Sequence, residues 1–312
     1  MPETEIPGFD AANPLGFLAA LGALAVASRH WPRRRIGLAW SDSVRAHARL
    51  ADVGGSDELA EAILVDLAAW RDSPALDYPS DKPWNDIKRT GEEVREWLNR
   101  CLDHRHADAG RALALASALV AEGSVDNSGK AKPTDLHFTA GQQQFLDMAR
   151  KLRDGLEEQH VIEALEGPWQ YTSELPSFKW DVTDDRTYAL SATNPAVEKK
   201  LTVPGAEWLA LQGLTLMSVV GVPNRTLTTG CRGRWKDGTF TWPVWTEALD
   251  IDSTRSLLTL PALQAEPIPD TVAAHGITRV LRSRITRSDQ GGYGSFRPPR
   301  LVFDSASPRS AI

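Results

Sequence analysis

The residue types best suited to chemistry in this 312-residue chain fall in two places. The first is residues 178–190, where Trp180-Asp181-Val182-Thr183-Asp184-Asp185-Arg186-Thr187-Tyr188 brings three carboxylates and an arginine into one polar turn. Carboxylate oxygens suit a hard divalent cation such as magnesium or manganese, and clustered carboxylates repel one another unless a cation or an arginine neutralises them. The same side chains also serve as turn and capping groups, with Asp184 and Asp185 paired in part by Arg186 and Lys179. One reading is therefore a metal-dependent nuclease or phosphoryl-transfer enzyme built on Asp181, Asp184 and Asp185. The other is a solvated acidic turn; it is preferred, and no catalytic residue, resident metal or cofactor is assigned.

The second place is the C-terminal stretch from Arg279 to Arg300. Arg279, Arg282, Arg284, Arg287, Arg297 and Arg300 stand there against the single carboxylate of Asp289, on a chain whose formal net charge is -6. Arginines grip phosphates or read guanine edges, and Tyr293 and Phe296 between them can stack on or wedge a base. These eight residues, the six arginines with Tyr293 and Phe296, are the candidate nucleic-acid contacts, with a solvated basic loop as the alternative. The negative total argues against a protein coated in basic surface, so any such contact must be local.

The elements that position these groups follow from patterning. Asn13-Pro14 predicts a helix start, with Asn as the N-cap and Pro at the first helical position. The helix that follows, rich in Leu, Ala and Gly, has almost no polar face and is expected to be buried on most sides. Residues 1–12 read as a lead-in, 36–40 as a strand, 44–70 as helical with a Gly54-Gly55 break and an Asp57 cap, and 91–102 and 107–121 as helices. Residues 136–138 read as a short strand entering a helix capped by Thr139. Residues 180–190 read as two extended segments about the acidic turn, and 206–217 as a buried helix. From 219 onward the chain reads as β-rich, with Asp237-Gly238 between alternating aromatics signalling a hairpin, 256–263 continuing the strands, and 276–287 forming a helix or strand. The fold class expected is mixed α+β, with a helix-rich region 1–165, a β-richer region 166–303 and a disordered tail 304–312.

Composition bounds the rest. With 42% hydrophobic residues the chain can bury a core. The apolar run 15–27 is too short for a membrane span and has no basic leader. Cys101 and Cys231 form no metal or disulfide pattern, so a reducing cytoplasm is expected. Most of the eleven tryptophans should anchor the core or interfaces, leaving a few that can stack on bases.

Several motifs, in this order, are similar to those of CRISPR-associated effector proteins of the type I-G (formerly I-U) group. They are Asn13-Pro14-Leu15-Gly16-Phe17-Leu18-Ala19-Ala20-Leu21-Gly22, Phe138-Thr139-Ala140-Gly141-Gln142-Gln143, Trp180-Asp181, and Asp184-Asp185-Arg186-Thr187-Tyr188-Ala189-Leu190. Val203-Pro204-Gly205-Ala206, Phe240-Thr241-Trp242-Pro243-Val244-Trp245 and the arginine-rich end follow. The chain resembles the large-subunit-like members but is shorter. The resemblance implies a non-catalytic subunit of an RNA-guided, Cascade-like surveillance complex in antiviral defence. Its implied partners are guide RNA, target DNA and other effector subunits, with no membrane. A structural interaction protein without nucleic acid is the third reading.

Overall fold

The chain begins with strand β1 (Glu3–Asp10), and Asn13 and Pro14 then start helix α1 (Pro14–His30). The Asn13 side-chain oxygen accepts from the Leu15 backbone N–H at 3.1 Å, and every residue from Pro14 to Ala27 is buried. The computed structural model describes residues 2–140, 143–184, 201–223, 225–287 and 293–306. After α1 come β2 (Gly37–Trp40), β3 (His47–Ala51), α2 (Ser56–Ala68), α3 (Gly91–His104) and α4 (Arg111–Leu119). Then follow β4 (Val120–Val125), β5 (Ala131–Pro133), α5 (Phe145–Gly155), α6 (Glu158–Glu166) and α7 (Pro204–Gly213). The chain continues through β6 (Val219–Val222), β7 (Arg225–Thr228), β8 (Cys231–Arg234), β9 (Asp237–Trp245) and α8 (Ile251–Leu258). It ends in β10 (Ile277–Arg287), β11 (Gly294–Phe296) and β12 (Arg300–Asp304). The fold is mixed α+β, with all the ladders antiparallel among the described residues.

Helix α1 is buried because it is covered from two directions. On one side it crosses α7 so closely that a Cβ on Gly22 would lie 1.7 Å from the Leu209 carbonyl oxygen, and one on Gly213 would lie 2.0 Å from that of Leu18. Only hydrogen fits between the two backbones. On the other side Phe17 stacks on Trp40 of β2 at 5.8 Å and meets Trp242 and Trp245 of β9 at 5.9 and 6.5 Å. Two of these indoles are satisfied across elements: Trp242 donates to the Ala11 carbonyl at 2.9 Å and Trp245 to that of Leu38 at 2.7 Å. Phe17 thereby ties the small sheet β1-β3-β2 to the large sheet β11-β10-β9-β8. One apolar core runs from Ile6 to Phe303, so the helix-rich and β-richer regions share it.

Several local expectations are corrected. The lead-in is strand β1, paired with β3. The helical reading of 44–70 fails at 47–51, because β3 lies between β1 and β2 and buries Ala48 and Leu50. Gly55, not Asp57, precedes α2. Residues 136–138 form no strand, and Thr139 does not cap α5, which starts at Phe145. The His137 and Phe138 carbonyls instead accept from Arg287 and from the Gly294 N–H. Residues 256–263 are not extended: Asp250 caps α8 by accepting from the Ser253 N–H at 2.8 Å, and a 3-10 turn follows at Pro261–Gln264. The hairpin near Asp237 is present, but its two-residue turn is Trp235-Lys236, with Asp237 already paired to Arg234. The expected return strand at Tyr188 and Leu190, and residues 307–312 of the expected disordered tail, lie outside the described residues.

The α1–α7 crossing predicts a sharp contrast between two glycines. Gly22→Ala should destabilise the protein by at least about 2 kcal/mol, because buried backbone has nowhere to move. Gly123→Ala, whose Cβ would find its nearest neighbour at 3.9 Å, should stay within about 0.5 kcal/mol. Urea unfolding midpoints would decide it, and equal midpoints would remove the claim.

Candidate nucleic-acid interface

Strand β10 reads Ile-Thr-Arg-Val-Leu-Arg-Ser-Arg-Ile-Thr-Arg, and a pleated strand sends alternate side chains to opposite faces. Ser283 and Ile285 are buried on the face that carries Phe240 and Trp242 towards α1. Arg282 and Arg284 share the other face. Register extends this face across the sheet. Arg284 lies opposite Thr239, which lies opposite Arg232 of β8, while Arg282 lies opposite Thr241 on one side and Arg300 of β12 on the other. The Arg297 N–H donates to the Arg284 carbonyl at 2.9 Å, which sets Arg297 beside Arg284. Arg234 follows two residues after Arg232 on the same strand, opposite Asp237.

The arginines on this face do different work. Arg282 is 5% exposed, and its Nε donates to the Thr241 hydroxyl at 2.9 Å. Its other nitrogens donate to the Leu263 and Ala265 carbonyls and to Glu266. Burial lowers its pKa, Glu266 opposes that shift, and the positive charges of Arg300 and Arg232 add to it. Arg282 is thus an internal tie that clamps the 261–266 segment over one half of the face. Beyond it the face is open. Arg232, Arg234, Arg284 and Arg300 are exposed and Arg297 is half-buried. Arg284 pairs with Asp237 at 2.6 Å, and Arg232 also donates to the Gln264 carbonyl. The side chains of Arg234 and Arg300 make no hydrogen bond or ion pair among the described residues. Six arginines stand against Asp237 and Glu266 here, a local excess of positive charge held in rows by the ladder.

The other expected contacts sit elsewhere. Phe296 is fully buried against Phe138 at 4.9 Å and Phe240 at 5.5 Å, so its ring belongs to the core and is closed to a base. Arg279, on the core-facing side, donates to the Ser43 and Val44 carbonyls. Tyr293 is half-buried with the Lys179 ammonium 4.2 Å from its ring centre. Arg287, on the core-facing side of β10 with Ser283 and Ile285, donates from Nε to the Trp235 carbonyl at 3.1 Å, from one Nη to that of His137 at 2.8 Å and from the other to that of Asp135 at 2.6 Å. Burial pushes its pKa down to about 10, with Asp135 opposing.

The sequence alone does not mark Arg232, Arg234 and Trp235 as part of a site. Their signal is the alternation Arg232-Gly233-Arg234 leading into a hairpin, which becomes meaningful only once β8 is seen beside β9 and β10.

In the acidic stretch, Asp181 is buried and its carboxylate is already engaged. It accepts from the Tyr171 hydroxyl at 2.7 Å, the Thr183 N–H at 2.9 Å and the Asn13 amide at 3.3 Å. Val182–Asp184 forms a 3-10 turn, and Asp185 lies outside the described residues. Among the described residues no group of three or more His, Cys, Asp or Glu side chains is placed to hold a metal ion. No described helix is long and apolar enough to cross a membrane. Comparison with protein-family models and with curated proteins returns no match.

Two outcomes follow. Arg282→Met should cost about 1–3 kcal/mol, since it strands buried acceptors, whereas Arg284→Ala should stay within about 0.5 kcal/mol. Equal unfolding midpoints would contradict the division of labour. His137, whose carbonyl holds Arg287, has its imidazole buried, 3.4 Å from Asp86 and 3.1 Å from the Thr139 hydroxyl. Burial holds its pKa below the ordinary 6.5 despite Asp86. The unfolded chain then binds the extra proton first, so stability is retained above 6.5 and declines as pH falls from there towards the depressed folded value. His137→Gln should flatten that decline below about pH 6.5; an unchanged decline would place the titration elsewhere.

Proposed function

We propose that this chain is a non-catalytic subunit of a CRISPR RNA-guided surveillance complex in the cytoplasm, acting in antiviral defence. In this reading the open half of the arginine face holds the sugar-phosphate backbone of guide RNA or target DNA. The observation that carries the nucleic-acid part is the set of Arg232, Arg234, Arg284, Arg297 and Arg300 in adjacent rows of one sheet face, on a chain of net charge -6. A local positive field on an acidic body attracts a polyanion to one place, and the acidic remainder is left to face partner subunits. The surveillance-complex part rests on the ordered motifs that resemble the type I-G group. In such complexes base pairing reads the target, and protein holds the heteroduplex backbone or inspects a short flanking motif. Backbone-paired arginines in a ladder suit the first task, because phosphate contacts position without reading sequence.

Binding to guide-like RNA and to short duplex DNA should be measured across a salt series, alone and with partner subunits. The comparison is wild type against Arg232→Ala/Arg234→Ala/Arg284→Ala/Arg300→Ala. The expected result is weaker binding with a log–log salt slope shallower by about 0.7 to 0.9 for each phosphate that the variant no longer neutralises. The distant control Arg33→Ala/Arg35→Ala should match wild type. Unchanged affinity and slope in the quadruple variant would move the binding site off this face. Salt-insensitive assembly with no nucleic-acid binding would favour a purely structural subunit.

A further inference from the structure

Of the eleven tryptophans, ten are buried or half-buried and Trp235 alone is exposed, at 45%. Its position does not call for an indole. Trp235 and Lys236 form the two-residue turn between β8 and β9, where small or flexible residues such as Asn and Gly usually serve the backbone. The ring is nevertheless fixed. The Arg287 guanidinium carbon lies 3.5 Å from the centre of its ring, and that guanidinium is pinned by the carbonyls of Trp235, His137 and Asp135, with Phe138 at 5.2 Å. All three guanidinium nitrogens donate to backbone carbonyls, so Arg287 is committed to holding the indole rather than to a phosphate. The result is a large aromatic ring that has a guanidinium against it and is still 45% exposed. It directly follows Arg234, at the end of the sheet whose outer face carries the arginine rows.

We propose that Trp235 is a stacking platform for an unpaired nucleobase, so that the arginine face takes a single strand whose backbone runs along the rows and whose base lies on the indole at the hairpin tip. This rests on the nucleic-acid reading of that face. Flat aromatic surfaces beside a basic track are how proteins hold single strands without reading sequence, because every base has a π-face and only an unpaired one offers it freely. Immobilising the ring beforehand removes the ordering cost that a mobile exposed side chain would pay on binding.

The test compares oligo-dT, oligo-U and a blunt DNA duplex binding to the full-length wild-type chain and to Trp235→Ala, Trp235→Leu and Trp235→Phe, with thermal unfolding of each as a folding control. Trp235→Ala and Trp235→Leu should weaken both single strands by roughly ten-fold or more while leaving the salt slope and the duplex affinity unchanged, and Trp235→Phe should recover most of the loss. Dependence on oligo-U alone or oligo-dT alone would support stacking and identify which strand the platform serves. Equal losses on duplex and single strands, or a leucine variant as good as phenylalanine, would overturn stacking, as would unaltered single-strand binding in the alanine variant. Wild-type protein that binds none of the three ligands would sink the nucleic-acid reading itself, whereas wild-type binding that is insensitive to Trp235 would sink only this inference.

Discussion

The structure depends on the contact between α1 and α7, where two backbones meet with nothing larger than hydrogen between them. Gly22 against Leu209 and Gly213 against Leu18 set the separation, and any side chain there would drive the helices apart. Close approach gathers many weak dispersion contacts over the length of α1, which suits a helix with no polar face to turn to solvent. With α7 on one side, the opposite side is free to present Phe17 to both sheets. The aromatic cluster of Phe17, Trp40, Trp242 and Trp245 then fixes where β9 lies, and β9 fixes β8 and β10 on either side of it.

That chain of constraint reaches the surface through the pleat. Because Phe240 and Trp242 must face α1, Thr239 and Thr241 must face away, and their partners Arg232, Arg282 and Arg284 are carried with them. A basic face is therefore the obverse of the aromatic core, and its registry is no looser than that core's. Asp237 and Glu266 neutralise part of the charge, and Arg282 is withdrawn into hydrogen bonds that close one half of the face. What stays open is a short array with an excess of positive charge, and there an external anion lowers the electrostatic free energy most.

Arginine has separate uses along β10 and at its end. Arg282 and Arg287 are structural: Arg287 gives each of its three nitrogens to a backbone carbonyl, and Arg282 divides its own among the Thr241 hydroxyl, the Glu266 carboxylate and two backbone carbonyls, a spread that suits a planar fork of donors. Arg284 is a surface ion-pair member, exposed and weakly held. Their shared residue type conceals the difference, since linear spacing says nothing about whether carbonyls of a distant segment will surround a guanidinium. For Arg287 those carbonyls come from Asp135 and His137, about 150 positions earlier in the chain.

Local chemistry was therefore legible in the sequence, and long-range chemistry was not. Asn13-Pro14 marked the start of α1, the apolar run after it marked a buried helix, and the aromatic alternation around Asp237 marked a hairpin, because caps, periodicity and turns involve neighbours only. The mixed α+β class followed from the same signals. The strand at 47–51 is hidden in the sequence because its pairing with β1 and β2 overrides a helical composition, and 256–263 has an extended pattern that the cap at Asp250 and packing beneath override. The arginine-rich end was visible as a charge imbalance, yet the sequence could not separate Arg282, Arg287 and Phe296 from the exposed residues, nor bring Arg232, Arg234 and Trp235 into the same site. Those assignments belong to tertiary structure, because burial and cross-strand register are set by the core beneath the sheet and not by the residues on either side in the chain.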